Sequence, residues 1–217
     1  MASDEAMSLE TSFETTTPLA TTTSLETTTS FETTRSARTR RSGGVAAFTA
    51  VLIGSAVAVG LGVFGRIHEP QFFAINVAGF SSGMAVKAWM ATLAVGLAVF
   101  QFGSAFVMYG LLPRGRTPAW VSTAHVWSGR VAVLVSVPVA MHCLYALGFE
   151  ATDTRVLFHS LFGCFFYGAF VTKMLLLTKK GLAPWVFPIF GGLVFFGLVF
   201  VWLTSALWFF DTSGVHF

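Results

Sequence analysis

From residue 45 to its end, the chain alternates between long apolar stretches and short polar ones. A hydrocarbon core of roughly 30 Å requires about 20 apolar residues per helical span, and five stretches reach that length. Backbone groups in lipid must be hydrogen-bonded within their own segment, so spans this long are helices. The pattern predicts an all-α, polytopic transmembrane bundle of five helices, with spans at about 45–64, 85–112, 120–148, 156–177 and 185–210.

Residues 1–44 have a different pattern, in which Ser-Leu-Glu-Thr or Ser-Phe-Glu-Thr occurs four times among threonine tracts. Such a segment buries too little apolar surface to offset the entropy lost on ordering, so we expect a disordered, Thr/Ser/Glu-rich cytoplasmic tail. A solvated tail and a phosphorylatable or docking tail are both open. A cleaved signal peptide is disfavoured because the arginines of residues 35–41 come too late and the apolar run after them is too long.

Composition and charge agree with a membrane protein. Only 11% of the residues are charged and the mean hydropathy is +0.73. The basic residues lie at the helix ends, which favours topology markers over nucleic-acid binding. If the five spans alternate, one side receives Arg35, Arg38, Arg40, Arg41, Arg114, Arg116, Lys179 and Lys180, whereas the other receives Arg66, Lys87, Arg155 and four acidic residues. The positive-inside rule then predicts a multi-pass protein of the inner (plasma) membrane, with a cytoplasmic amino terminus and an outside carboxyl terminus.

Two histidines on neighbouring spans are the leading candidates for chemistry, because polar side chains in a membrane are costly and mark functional sites. The third span runs outward and the fourth returns, which places His142 and His159 at a similar depth near the outer boundary. Two neutral imidazoles can supply both axial ligands of a haem iron. Gly163, one turn below His159, leaves room for a flat macrocycle.

The other polar positions leave alternatives open. The alternative for His142 and His159 is that they are interfacial histidines that bind water, head groups or helix carbonyls. His125, near the cytoplasmic end of the third span, is either an interfacial histidine or the ligand of a second haem. Arg130 either extends its guanidinium to the head groups or binds a haem propionate or quinone oxygen. The two cysteines lie inside apolar segments, which argues against a disulfide.

Two segments carry a resemblance to known proteins. Residues 124–147 (AHVWSGRVAVLVSVPVAMHCLYAL) resemble the His-x-x-x-Gly-Arg … His helix of b-type cytochrome and ferric reductase-like membrane domains. Residues 155–163 (RVLFHSLFG) are similar to the second His-x-x-x-Gly helix of the cytochrome b561 group. The five-span layout also resembles a small actinobacterial family of multi-span membrane proteins of unknown function.

The cytochrome resemblance implies bis-histidine haem b and transmembrane electron transfer. It points to His125, His142 and His159 as ligands and to Gly129 and Gly163 as close-packing positions. The chain departs from those families in the spacing of its histidines, because 17 residues separate His125 from His142. Two stacked haems are therefore not expected.

These observations together predict a membrane electron-transfer subunit with one haem b near the outer face, which exchanges electrons with a partner protein or with quinol. The chain has no nucleotide- or flavin-binding motif, so we expect at most an electron-transfer subunit of an oxidoreductase. The alternative is a non-redox integral membrane scaffold or anchor subunit of a larger complex. A small transporter or channel ranks third, because Asp211, at the outer end of the last span, is the only acid in the spans.

Overall fold

A computed structural model describes residues 21–73, 76–77, 79–111, 118–215 and 217, and of residues 21–42 it describes only the backbone. The chain divides into two compact units, Met1–Arg41 and Ser42–Phe217. This division lies close to the tail boundary predicted at residue 44. Of that predicted disordered tail, residues 1–20 lie outside the described residues, and the backbone from Thr21 onwards is helical. Arg114 and Arg116 also lie outside them.

The described chain is helical and contains no strand. Its helices are α1 (Thr21–Ile67), α2 (Gly83–Met108), α3 (Ala119–His142), α4 (Thr154–Leu177), α5 (Val186–Trp202) and α6 (Trp208–Ser213). Five segments are long and apolar enough to cross a membrane, namely Gly43–Ile67, Gly83–Met108, Ala119–Leu147, Thr154–Leu177 and Val186–Ser213. The prediction of a five-span all-α bundle is confirmed.

Local sequence signals explain where the helices begin and end. The Ser82 hydroxyl caps α2 by accepting from the Ala85 amide at 3.1 Å, and the Asp153 carboxylate caps α4 by accepting from the Val156 amide at 2.9 Å. The helix of the second span ends at Met108, earlier than predicted, because Gly110 takes a left-handed conformation with φ of 69°.

Two spans contain a π-helical turn near one end, and the sequence analysis predicted neither. Cys143–Leu147 continues α3 as a π-turn, which we name π1. Leu203–Leu207 joins α5 to α6 as a second π-turn, π2. Such turns replace i→i+4 hydrogen bonds by i→i+5 bonds and often occur at functional sites.

The helices pair in an order that differs from their order in the chain. α3 packs on α2, α4 packs on α5, and α2 packs on α5. α1 meets α4 where Gly54 faces Gly168, at a distance that leaves no room for a Cβ on either. Small residues allow this close approach of helices in lipid. α3 and α4 are joined by a short connection, yet they do not pack along each other.

Many large apolar side chains face outward, as the bilayer requires. Leu134 and Val59, for example, are 69% and 65% exposed. The interior is instead formed by small residues and a few large ones, with one core cluster of Ala94, Ala98, Phe166 and Leu198. The surface of the bundle is therefore suited to contact with lipid.

Candidate functional site

A cavity of about 490 Å³ occupies one half of the bundle. It lies at the end where α1 finishes and where π1 and π2 are located, which we call the cavity end. All five spans contribute to its wall. The facing surfaces of α3 and α4 border it, which explains why these two helices do not pack along each other.

His159 presents its imidazole to this cavity in a defined orientation. Its Nδ1 lies 3.1 Å from the hydroxyl oxygen of Thr204 in π2. The Thr204 hydroxyl already donates to the carbonyls of Phe200 at 2.9 Å and Val201 at 3.1 Å. It therefore accepts from His159, so Nδ1 carries the proton and Nε2 keeps its lone pair. A neutral imidazole held in this way is a typical metal ligand.

Arg155, in the first turn of α4, contacts the same π-turn. Its guanidinium donates to the Thr204 carbonyl at 2.7 Å and stacks on the Trp208 ring at 4.0 Å. It also makes an ion pair with Asp153 at 3.9 Å. The π-turn thus provides two groups from one residue, because the Thr204 hydroxyl positions His159 and its carbonyl binds Arg155.

Small residues create the space beside His159. A Cβ added to Gly163 would meet no atom within 4 Å, and Gly163 borders the cavity. The wall contributed by α2 includes Ala88, Ala91 and Ala94, which repeat every three residues. Gly163 is therefore an open position, not the helix-packing position that the cytochrome resemblance implies.

A hydrogen bond between two side chains lies in the cavity wall, on the side away from the cavity end. The Ser136 hydroxyl oxygen of α3 lies 3.0 Å from the Tyr167 hydroxyl oxygen of α4. Ser136 donates to the Val133 carbonyl at 2.8 Å, so Tyr167 is the donor to Ser136. Phe166 and Leu198 of the core cluster border the cavity at the same level.

The structure does not place His142 in the wall of this cavity. His142 is only 4% exposed, and its ring contacts the edge of Phe73 in the segment after α1. Its Nδ1 is buried without a hydrogen-bond partner among the described residues. His142 and His159 are thus near the same end of the bundle, as predicted, but only His159 borders the cavity.

His68 lies in the segment that covers this end of α3. It stacks on Phe64 with ring centroids 5.0 Å apart and meets the edge of Tyr145 at 4.9 Å. The same segment is fixed to π1, because the Gln71 amide donates to the Tyr145 carbonyl at 3.1 Å. His68 and Phe73 of this segment therefore both make ring contacts at this end of the bundle, and Phe73 contacts His142.

His125 belongs to a separate polar cluster in the other half of the bundle. Its Nδ1 lies 2.8 Å from the Ser104 hydroxyl, and its carbonyl accepts from the Gln101 side-chain amide. A Cβ on Gly129 would come within 2.6 Å of that amide nitrogen, so Gly129 is a close-packing position, as the resemblance implies. His125 does not border the cavity.

Arg130 is exposed on α3, and its guanidinium lies 5.2 Å from the Trp127 ring centroid. This position agrees with the interpretation in which it extends to the head groups, and it lies away from the cavity wall. Cys143 and Cys164 are both free thiols, and both border the cavity. No group of three metal-ligating side chains occurs in the part of the chain that the structure describes.

Sequence reasoning missed two residues of the site. Lys87 was assigned only to topology, whereas it borders the cavity from α2. Thr204 is one hydroxyl in an apolar span, and nothing in its surroundings signals the π-turn that aims it at His159. Lys87 could have been identified from the sequence, because it lies one turn inside a span and charged residues within a membrane are rare.

Residues 46–217 match the family of unknown function DUF6529, so the chain belongs to that family. No curated protein matches the chain. No solved structure matches it either. The resemblance to b-type cytochromes stays a prediction.

Proposed function

We propose that this DUF6529 protein is a membrane-embedded electron-transfer subunit that binds haem b in the cavity, with His159 as an axial ligand. The observation that carries the proposal is the orientation of His159. Thr204 fixes its Nδ1–H, which leaves the Nε2 lone pair for a metal at the cavity. The His-x-x-x-Gly pattern of His159 and Gly163 supports the same assignment.

The residues of the cavity fit a haem in three respects. Gly163 leaves the space beside His159 open for a flat ring. The wall is mostly apolar, which matches the macrocycle. Lys87 places a positive charge at the wall, which suits a carboxylate of the propionates. When bound, haem supplies a one-electron iron couple, and the apolar wall around His159 would tune its potential.

The fit differs from the bis-histidine expectation, because His142 is outside the cavity wall. Among the described histidines, only His159 borders the site. The sulfur atoms that border the cavity belong to Met84, Cys143 and Cys164. We therefore propose ligation by His159 without His142, and the variant His142→Ala decides between this arrangement and the bis-histidine one.

The cavity end would face the outside if the charge asymmetry sets the orientation in the inner membrane. A haem there would exchange electrons with a partner protein or with quinol at the outer leaflet. His159 would bind the iron. Thr204 would keep its imidazole in the observed orientation, and Arg155 would hold Thr204 in place.

The test is a reduced-minus-oxidised absorption spectrum of protein purified from haem-replete cells. We expect a Soret change in the wild type, its loss in His159→Ala, and an unchanged spectrum in the matched control His125→Ala, which changes an imidazole outside the cavity. Colourless wild-type protein would contradict the haem proposal and favour the non-redox anchor. Loss of haem in His125→Ala alone would place the cofactor in the other half of the bundle.

A further inference from the structure

Lys87 is a cation of the cavity wall for which no described side chain supplies an anion. It lies in the second turn of α2, is half-buried, and borders the cavity. Among the described side chains, one ion pair is present, between Arg155 and Asp153. Glu150 also borders the cavity, but it is not within salt-bridge distance of Lys87.

The surroundings make this unpaired charge costly. An ammonium in an apolar, low-dielectric site loses most of its hydration, and only a counter-charge offsets that loss. Arg155 does not share this situation, since it is hydrogen-bonded to the Thr204 carbonyl and stacked on Trp208.

We propose that Lys87 recognises a carboxylate on the ligand of the cavity, so that the ligand is an amphiphile with an apolar body and an acid group. The inference rests on the cavity site of the proposed function, but it does not require iron. Two sources share this chemistry, a porphyrin with propionates and a long-chain fatty acid. Lys87 would bind the acid group while the alanines of α2 contact the apolar body.

The experiment compares each acid with its neutral ester in purified, detergent-solubilised protein. The probes are iron-free protoporphyrin IX and its dimethyl ester, followed by fluorescence, and oleate and methyl oleate in competition. For wild type we expect at least one acid to bind about tenfold more tightly than its ester, as a charge-assisted hydrogen bond provides. Lys87→Met should lose this preference, whereas Lys87→Arg should retain most of it.

Each result bears on one claim. A preference for protoporphyrin supports a porphyrin ligand, and a preference for oleate alone supports a lipid ligand and contradicts the haem proposal. Equal binding of acid and ester by wild type overturns the role of Lys87. So does a preference that survives in Lys87→Met, or the absence of saturable binding of all four probes. An unchanged circular dichroism spectrum of Lys87→Met shows that the variant is folded.

Discussion

The contact between α1 and α4 provides a test of the fold that needs no ligand. A Cβ at Gly168 would lie 2.5 Å from the Gly54 carbonyl oxygen and 2.8 Å from the Ala58 Cβ. The first neighbour is backbone, so it cannot rotate away. Gly168→Ala therefore forces the two helices apart, and the bond from the Thr172 hydroxyl to the Ala50 carbonyl, already 3.4 Å long, breaks with it.

The expected change in the free energy of unfolding combines two destabilising effects and one stabilising effect. Overpacking costs roughly 1–3 kcal/mol, and the lost hydrogen bond costs about 0.5–1.5 kcal/mol. Alanine gains about 1 kcal/mol over glycine inside a helix. The matched control is Gly96→Ala in α2, where the added Cβ meets nothing within 4 Å and the helix gain is the same. Because the helix gain is common to both variants, they should differ by about 1.5–4.5 kcal/mol in the free energy of unfolding.

The assay is SDS-induced unfolding of the purified protein in mild detergent, followed by tryptophan fluorescence and near-ultraviolet circular dichroism. We expect the Gly168→Ala midpoint to move to lower SDS and the Gly96→Ala midpoint to stay or rise. If Gly168→Ala is as stable as Gly96→Ala, the close approach of α1 and α4 is refuted.

Two further predictions concern topology and the site. Reporter fusions should show the loop at residues 178–181 in the cytoplasm and a fusion after Phe217 outside, because lysines and arginines are enriched in alternate loops. Cytoplasmic labelling of the fusion after Phe217 would mean that the charge argument is wrong. Thr204→Val should weaken haem binding about 10- to 100-fold, because the Nδ1–H of His159 loses its hydroxyl acceptor. The matched control is Thr212→Val, which removes a hydroxyl outside the cavity wall that donates to the Trp208 and Phe209 carbonyls, and equal affinities in the two variants would contradict the role of Thr204.

The spans were predictable from the sequence because long apolar runs and charged or turn-forming breaks are strong local signals. Ser82 and Asp153 begin helices where a capping residue precedes an apolar run, and Gly110 ends one. His159 and Gly163 could be placed on one helix face, since four residues make about one turn. The placement of His159 beside an open glycine is the part of the predicted site that the structure shows.

The neighbours of each span were not predictable, because in lipid both the outer and the inner face of a helix are apolar. Leu134, which faces outward, and Phe166, in the core, give no periodic contrast with their surroundings. The short connection between α3 and α4 does not make them pack along each other, because they border a cavity instead. The separation of His142 from that cavity depends on π1 and on the covering segment, for which the sequence has no signal.

The hydrogen bond between Ser136 and Tyr167 has a consequence for which part of the bundle a ligand of the cavity would contact. At the same level, Ala94, Phe166 and Leu198 pack together and border the cavity. If haem binds as proposed, these packed residues would separate it from the half of the bundle that contains His125.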